Sequence, residues 1–242
     1  FTASACNFVH WDNRGVGSPA IQLDGGKAIV QGCTFNQENL HVSVGSNVTS
    51  AILTANQAAG GFRVENQAGR RAQIALNEED SIEWTEEARA HYRIAVGAPG
   101  DGRYLQGWHG PERGDQSFRW TMAVSRLLLP VVPGQRYMVR LEVQVPKPAL
   151  AADAGLYAEG KLIALLSSGP VLTANVPAVS GERVHLELRC PGWIPQKVMP
   201  GSQDPRTLGV QVFTVTMQAE GASARVFNAN TGQWPATTTT KP

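Results

Sequence analysis

Two hydrophobic rhythms divide the chain. Through residues 20 to 81, short alternating runs recur in blocks of similar length, AIQLDGGKAIVQGCTFNQEN, HVSVGSNVTSAILTANQAAG and FRVENQAGRRAQIALNEEDS, beginning at Ala20, His41 and Phe62. Each block holds two β-prone runs around a Gly/Asn-bearing corner and carries an asparagine at a comparable place: Asn36, Asn56 and Asn77, spaced 20 and 21 residues apart. A repeat of that length, with period-two strands and polar corners, predicts a solenoid with one coil per block. Stacked coils set like residues above one another at strand spacing, so these asparagines are expected to form an amide ladder, with Asn13 continuing it in an earlier coil.

From Tyr92 onward the pattern changes to separate strands with turn signals between them. Strands are expected at 92–96, 118–121, 125–129, 136–145, 155–158, 161–166, 171–176, 183–189 and 209–219. Alternation in Tyr137–Val143, Val184–Leu188 and Val210–Val215 buries one face and wets the other, as an antiparallel sandwich requires. The fold class is therefore all-β. Residues 1–80 read as terminal coils of the solenoid, 81–91 (SIEWTEEARAH) as a linker or cap over the last coil, 92–220 as the sandwich, and 221–242 as a tail that is partly disordered, with Phe227 and Trp234 able to dock.

Composition changes this picture little but closes off some functions. A net charge of +1, from 21 basic and 20 acidic residues, gives no footprint for nucleic acid. The longest apolar stretch, Leu127 to Val132, is broken by Pro130, so no membrane span is expected. The start at Phe1 reads as a processed or excised chain. Cys6, Cys33 and Cys190 have no metal spacing; Cys6 and Cys33 can pair if they lie in adjacent coils, although three small buried thiols is the simpler reading.

Candidate chemistry gathers in two loops, WHGPERGDQSFRW (108–120) and PGWIPQKVMPGSQDPRTLGV (191–210), each running into a strand. The prolines of the second argue against a helix there. Sugars present apolar ring faces and hydroxyls, so a sugar site needs aromatic platforms beside planar hydrogen-bonding groups. Trp108, Trp120, Trp193 and Tyr104 are the candidate platforms; Arg119, Arg206, Glu112 and Asp204 would bind hydroxyls or a uronate carboxylate, with His109 beside them. Trp108 and Trp193, in Gly/Pro loops, are expected to be exposed. The competing account makes Arg119 and Asp204 an ion pair that locks the loops, and Trp120 a core residue. Asp101, Asp115 and Asp204 raise the option of a structural calcium; no other cofactor is implied. In the coils, Asp12 with Arg14, and Asp24, are the weak catalytic candidates, without the spacing of a carboxylate pair.

Two resemblances sharpen the reading. GSPAIQLDGG, IVQGCTF, SAILTAN and GGFRVEN resemble the last coils of a right-handed parallel β-helix of the pectate-lyase-like kind, found in secreted bacterial polysaccharide-acting proteins. Gly107–Glu112, Phe118–Trp120, Leu127–Pro130, Pro133–Gly134 and Asp204–Val210 resemble a jelly-roll module with a galactose-binding-like fold. Together they imply a secreted or cell-surface, non-catalytic carbohydrate-binding protein whose partner is a polysaccharide or other glycan. The alternatives are the C-terminal part of a β-helix polysaccharide lyase or glycoside hydrolase, and an assembly protein, a homo-oligomer stacking through open coil ends.

Overall fold

The computed structural model describes residues 1–9, 11–12, 18–58, 60–78 and 82–235. The chain is all-β, with parallel sheets in one unit, Phe1–Ser81, and a mixed sheet in the other, Ile82–Pro242.

In the first unit, β1 (Thr2–Ser4), β3 (Ile21–Gln31), β5 (Val42–Thr54) and β7 (Val64–Asn66) lie side by side, and β8 (Ala72–Ala75) also pairs with β5. A second sheet is made of β2 (Asn7–Phe8), β4 (Thr34–Phe35) and β6 (Gln57–Ala58). Every one of these pairings is parallel, so the chain returns to the same place on each pass. After β1, β3, β5 and β8 the backbone turns at Ala5, Gly32, Ala55 and Leu76, all left-handed with φ between 51 and 59°. Three of the four carry a side chain in a conformation that disfavours one.

The residue after each corner occupies the ladder, which corrects the expected register. Asn77 Oδ1 accepts from the Asn56 backbone N–H (3.0 Å) and from Asn56 Nδ2 (2.9 Å). In turn Asn56 Oδ1 accepts from Cys33 N, while Asn77 Nδ2 and Asn56 Nδ2 donate to the Leu53 and Val30 carbonyls. The ladder positions are thus Cys6, Cys33, Asn56 and Asn77; Asn36 is not among them, and its N–H bonds the Phe8 carbonyl. Steps along the ladder are unequal, 23 residues from Cys33 to Asn56 and 21 from Asn56 to Asn77, so a fixed step slips off register. Asn13, expected to extend the ladder, lies outside the described residues. Cys6 and Cys33 follow each other in the ladder, yet both are free thiols, and burial raises that of Cys33.

Val30, Val44 and Leu53 fill the interior of this unit beside stacked rings, Phe8 on Phe35 at 4.8 Å and His41 on Phe62 at 5.5 Å. His41 is fully buried; its Nε2 donates to the Gln37 carbonyl and its Nδ1 accepts from Arg63 N. Desolvation lowers its pKa to about 4, so the ring is neutral.

The second unit opens with α1 (Glu86–Ala90), capped by Thr85, whose hydroxyl accepts from Ala88 N. Ile82 and Ala88 are buried in this unit's own core, so the stretch expected as a linker or cap belongs to the second unit from Ile82 onward. Its strands are β9 (His91–Ala95), β10 (Leu105–Trp108), β11 (Glu112–Arg113), β12 (Ser117–Pro130), β13 (Tyr137–Gln144), β14 (Gly155–Ala158), β15 (Lys161–Leu165), β16 (Val171–Val176), β17 (Arg183–Arg189), β18 (Gln211–Ala219) and β19 (Phe227–Asn228). They run in the order β15-β14-β17-β12-β18-β13-β16, with β10 and β11 on β12 and β9 on β18. Only β19, which pairs β9, is parallel to its partner among the described strands of this unit.

Two expected strands, 118–121 and 125–129, are one. The alternation breaks between them because β12 changes partner there: Arg119 and Trp120 pair with β18, and Val124 to Pro130 pair with β17. Gly209 makes the crossing possible, since a Cβ there would sit 2.2 Å from Thr121 Oγ1 and 2.6 Å from the Met122 carbonyl. Alternate residues of β13 and β17, such as Val139, Leu141, Leu186 and Leu188, are fully buried, each worth about 1.5–3 kcal/mol of hydrophobic transfer. Phe227 and Trp234 dock as the sequence allowed: Phe227 is buried, Trp234 packs edge-on to it, and Asn230 bonds both backbone groups of Ala95. Residues 236–242 lie outside the description.

Candidate functional site

The two loops singled out in the sequence meet. Arg206, from the loop between β17 and β18, donates through Nε and Nη2 to Asp204 and through Nη1 to Glu112 Oε1 at 2.8 Å, a residue 94 positions away. A second tie runs from His109 Nε2 to the Thr207 carbonyl (2.8 Å), and a third is the edge-on contact of Trp120 with Trp193 at 5.7 Å. One turn of helix, α2 (Pro195–Val198), interrupts the proline-rich loop, contrary to expectation. Pro195 stands in its first turn, where a missing N–H costs nothing.

The anticipated Arg119–Asp204 pair does not form. Arg119 instead grips Asp101, Nε to Oδ2 and Nη2 to Oδ1, both at 2.7 Å, and its Nη1 reaches the His109 carbonyl. Asp101 is 1% exposed and also accepts from Gly97 N, so this is a buried, bidentate pair fixing the base of the rim. Asp204 takes the guanidinium two residues along its own loop because the Pro205 corner turns Arg206 back onto it. That bonding holds the Asp204 carboxyl below the usual carboxylate range.

Of the expected platforms, three belong to the core. Trp108 is 5% exposed and Trp193 7%, and each indole N–H is satisfied from a neighbouring segment, by the Arg126 carbonyl and the Gly209 carbonyl. Gly/Pro context marked these residues as loop-borne, but loops folded across a sheet edge bury their rings. Tyr104 is 2% exposed with its hydroxyl on the Ala229 carbonyl. Trp120 is different. It is half-buried, and it alone of the three rim tryptophans has no protein acceptor for its indole N–H among the described residues, and that N–H is not sealed from solvent.

The rim therefore offers Trp120, the outer edge of His109 and the carboxylate of Glu112, on a scaffold where Arg206, Arg119, Asp101 and Asp204 are bonded to one another. Arg206 is held by Asp204 and Glu112, and Arg119 by Asp101, so both guanidiniums are already committed to carboxylates of the protein. Asp101, Asp115 and Asp204 do not converge, and no group of three or more metal-ligating side chains gathers among the described residues. In the first unit, Asp24 is an exposed strand residue accepting from Gln22 Nε2, and Asp12 is buried; Arg14, its proposed companion, lies outside the described residues. Asp101 and Thr207 were missed as rim residues; the Asp101-Gly-Arg turn after Gly100 was the available signal for the first.

No family model matches the chain, and no curated protein matches it. Among solved structures, the enzymatically active domain of bacteriophage CBA120 tailspike protein 4 aligns at 5% identity with a TM-score of 0.25, over 83% of this chain and 38% of that one. At that identity and score the likeness says nothing of what this chain does. No helix among the described residues is long and apolar enough to cross a membrane.

Proposed function

We propose that the chain is an extracellular, non-catalytic carbohydrate-binding protein: a short parallel β-helix followed by a jelly-roll sandwich whose loop rim takes a neutral polysaccharide. The observation that supports this most is Trp120, a half-buried indole whose N–H has no acceptor within the protein among the described residues, held edge-on to Trp193 between two loops that the Arg206–Glu112 and His109–Thr207 hydrogen bonds tie together. A sugar ring stacks on such a face without reordering the loops, and a pre-ordered site avoids the entropic cost of assembling one. The in-register parallel pairing of the first unit supports the β-helix reading, and the partner exchange along β12 supports two packed sheets in the second. An enzymatic role would ask the rim for a proton donor of raised pKa, whereas Asp204 is held ionised by Arg206.

The test is affinity electrophoresis of the whole chain through gels containing xylan, glucomannan, galactan or polygalacturonate, with reducing and unsaturated ends measured in parallel. Retardation by a neutral polymer without new ends is expected, reduced roughly tenfold or more by Trp120→Ala, equivalent to about 1.4 kcal/mol. Retardation unchanged by that substitution, or release of new chain ends, would overturn the reading.

A further inference from the structure

A second place in the same unit presents hydrogen-bonding groups that the fold does not use. On β13, β16 and β18 the register sets Met138 opposite Asn175 on one side and Gln218 on the other. These three side chains, with Arg136, Glu220 and Ile163, line an open cleft of about 700 Å3. That volume lies within the range of about 300–1,000 Å3 usual for ligand pockets. The row is rigid, because the residues flanking Met138, Asn175 and Gln218 in sequence are all buried: Tyr137 and Val139, Ala174 and Val176, Met217 and Ala219. Among the described residues, the side chains of Arg136, Asn175, Gln218 and Glu220 show no hydrogen bond or ion pair within the protein.

We infer that this cleft is a second binding site, for a neutral, hydroxyl-rich oligosaccharide held by hydrogen bonds rather than by aromatic stacking. Two primary amides supply paired donors and acceptors of the planar kind that vicinal hydroxyls match. Arg136 and Glu220 add a donor fork and an acceptor while cancelling in charge, so the cleft has no net pull on an anion. Met138 and Ile163 supply the apolar contact for ring C–H groups; Met138 is 42% exposed. The ligand class rests on the carbohydrate reading above, but the location is separate. Trp120 pairs with Gln211 at the start of β18 and Gln218 lies near its end, on the order of 20 Å away at strand spacing.

The two sites report separately in nitrogen-15 correlation spectra of the whole chain, through the Trp120 indole N–H and the Asn175 and Gln218 side-chain amides. Titration with cellohexaose, xylohexaose and chitohexaose, with hexagalacturonate as the anionic probe, is carried to about 10 mM, past the millimolar range expected of weak sugar sites. At least one neutral hexasaccharide should shift the Asn175 and Gln218 amides saturably, and the double substitution Asn175→Ala with Gln218→Ala should weaken that binding at least tenfold, followed through the neighbouring backbone amides. If only the Trp120 indole responds, the cleft proposal falls and the rim reading stands. If only the cleft amides respond, the rim is overturned and the cleft stands. Hexagalacturonate binding as tightly as the neutral probes would overturn the ligand class, and silence from both reporters would overturn both sites.

Discussion

The rim and the cleft are built from similar residue types and differ in what those residues already hold. At the rim, Arg119 is matched to Asp101, and Arg206 to Asp204 and Glu112, before any ligand arrives. In the cleft, two amides on paired strands, with an arginine and a glutamate just beyond the strand ends, have no such partners among the described residues. A satisfied polar network stabilises and orients; it gives a ligand little, because each bond offered to a sugar must first be withdrawn from the protein. Unengaged groups on a rigid sheet are solvated in the free protein and exchange that water for hydroxyls at small cost. The sharpest residue motifs in the chain thus mark its brace, and the binding we propose falls instead to Trp120 at the rim and to a sheet face without a motif.

The contrast breaks first at Asp101. Asp101→Ala leaves the Arg119 guanidinium largely buried without its partner and Gly97 N without an acceptor, and should lower unfolding stability by about 3 kcal/mol or more in denaturant titration; a loss below about 0.5 kcal/mol would mean the rim is not the brace described. Acid should act next. Hydrogen bonds from Arg206 hold the folded Asp204 pKa below the ordinary value of about 3.9, so this contribution is present above about pH 4 and is lost as pH falls below it. A stability profile taken from about pH 5 down to about pH 2 should therefore fall more steeply for the parent chain than for Asp204→Asn. Smallest of all should be the effect in the cleft, where Asn175→Ala and Gln218→Ala are each expected to change stability by no more than about 0.5 kcal/mol. A larger loss would show these amides to be structural and would erase the distinction.

Much of the architecture was legible because it is written in alternation. Strands at Val171–Val176 and Arg183–Arg189 match the expected bounds, and parallel coils follow from a repeat that helices cannot explain. What failed did so for identifiable reasons. Asn36 looked like a ladder residue because its distance to Asn56 resembles that from Asn56 to Asn77, but register is set by the left-handed corner, and Ala5, Ala55 and Leu76 give no glycine to mark it. Trp108 and Trp193 looked exposed because glycine and proline surround them; whether a loop ring is buried depends on carbonyls from Arg126 and Gly209, which the sequence places far off or around the turn. Arg119 pairs with Asp101 rather than with Asp204, which is already held by Arg206 two residues along. The cleft was invisible since Met138, Asn175 and Gln218 become neighbours only through strand pairing, and none of them is an unusual residue for an exposed strand position.

The ladder of the first unit carries a consequence for how such a chain can change over generations. Asn77 bonds the backbone N–H that follows the preceding corner and the carbonyl of the strand before it, and Asn56 makes the equivalent bonds one layer back. A layer therefore asks little of its neighbour: a left-handed corner, an amide or thiol after it, and apolar side chains turned inward. Duplicating or deleting one layer leaves the remaining junctions with the same partners they had, and the unequal steps show that the connecting loops tolerate changes in length. Stack height is in that sense a heritable variable, free to drift by whole layers. The interlocked second unit, whose β12 serves two sets of partners at once, has no layer that can be removed.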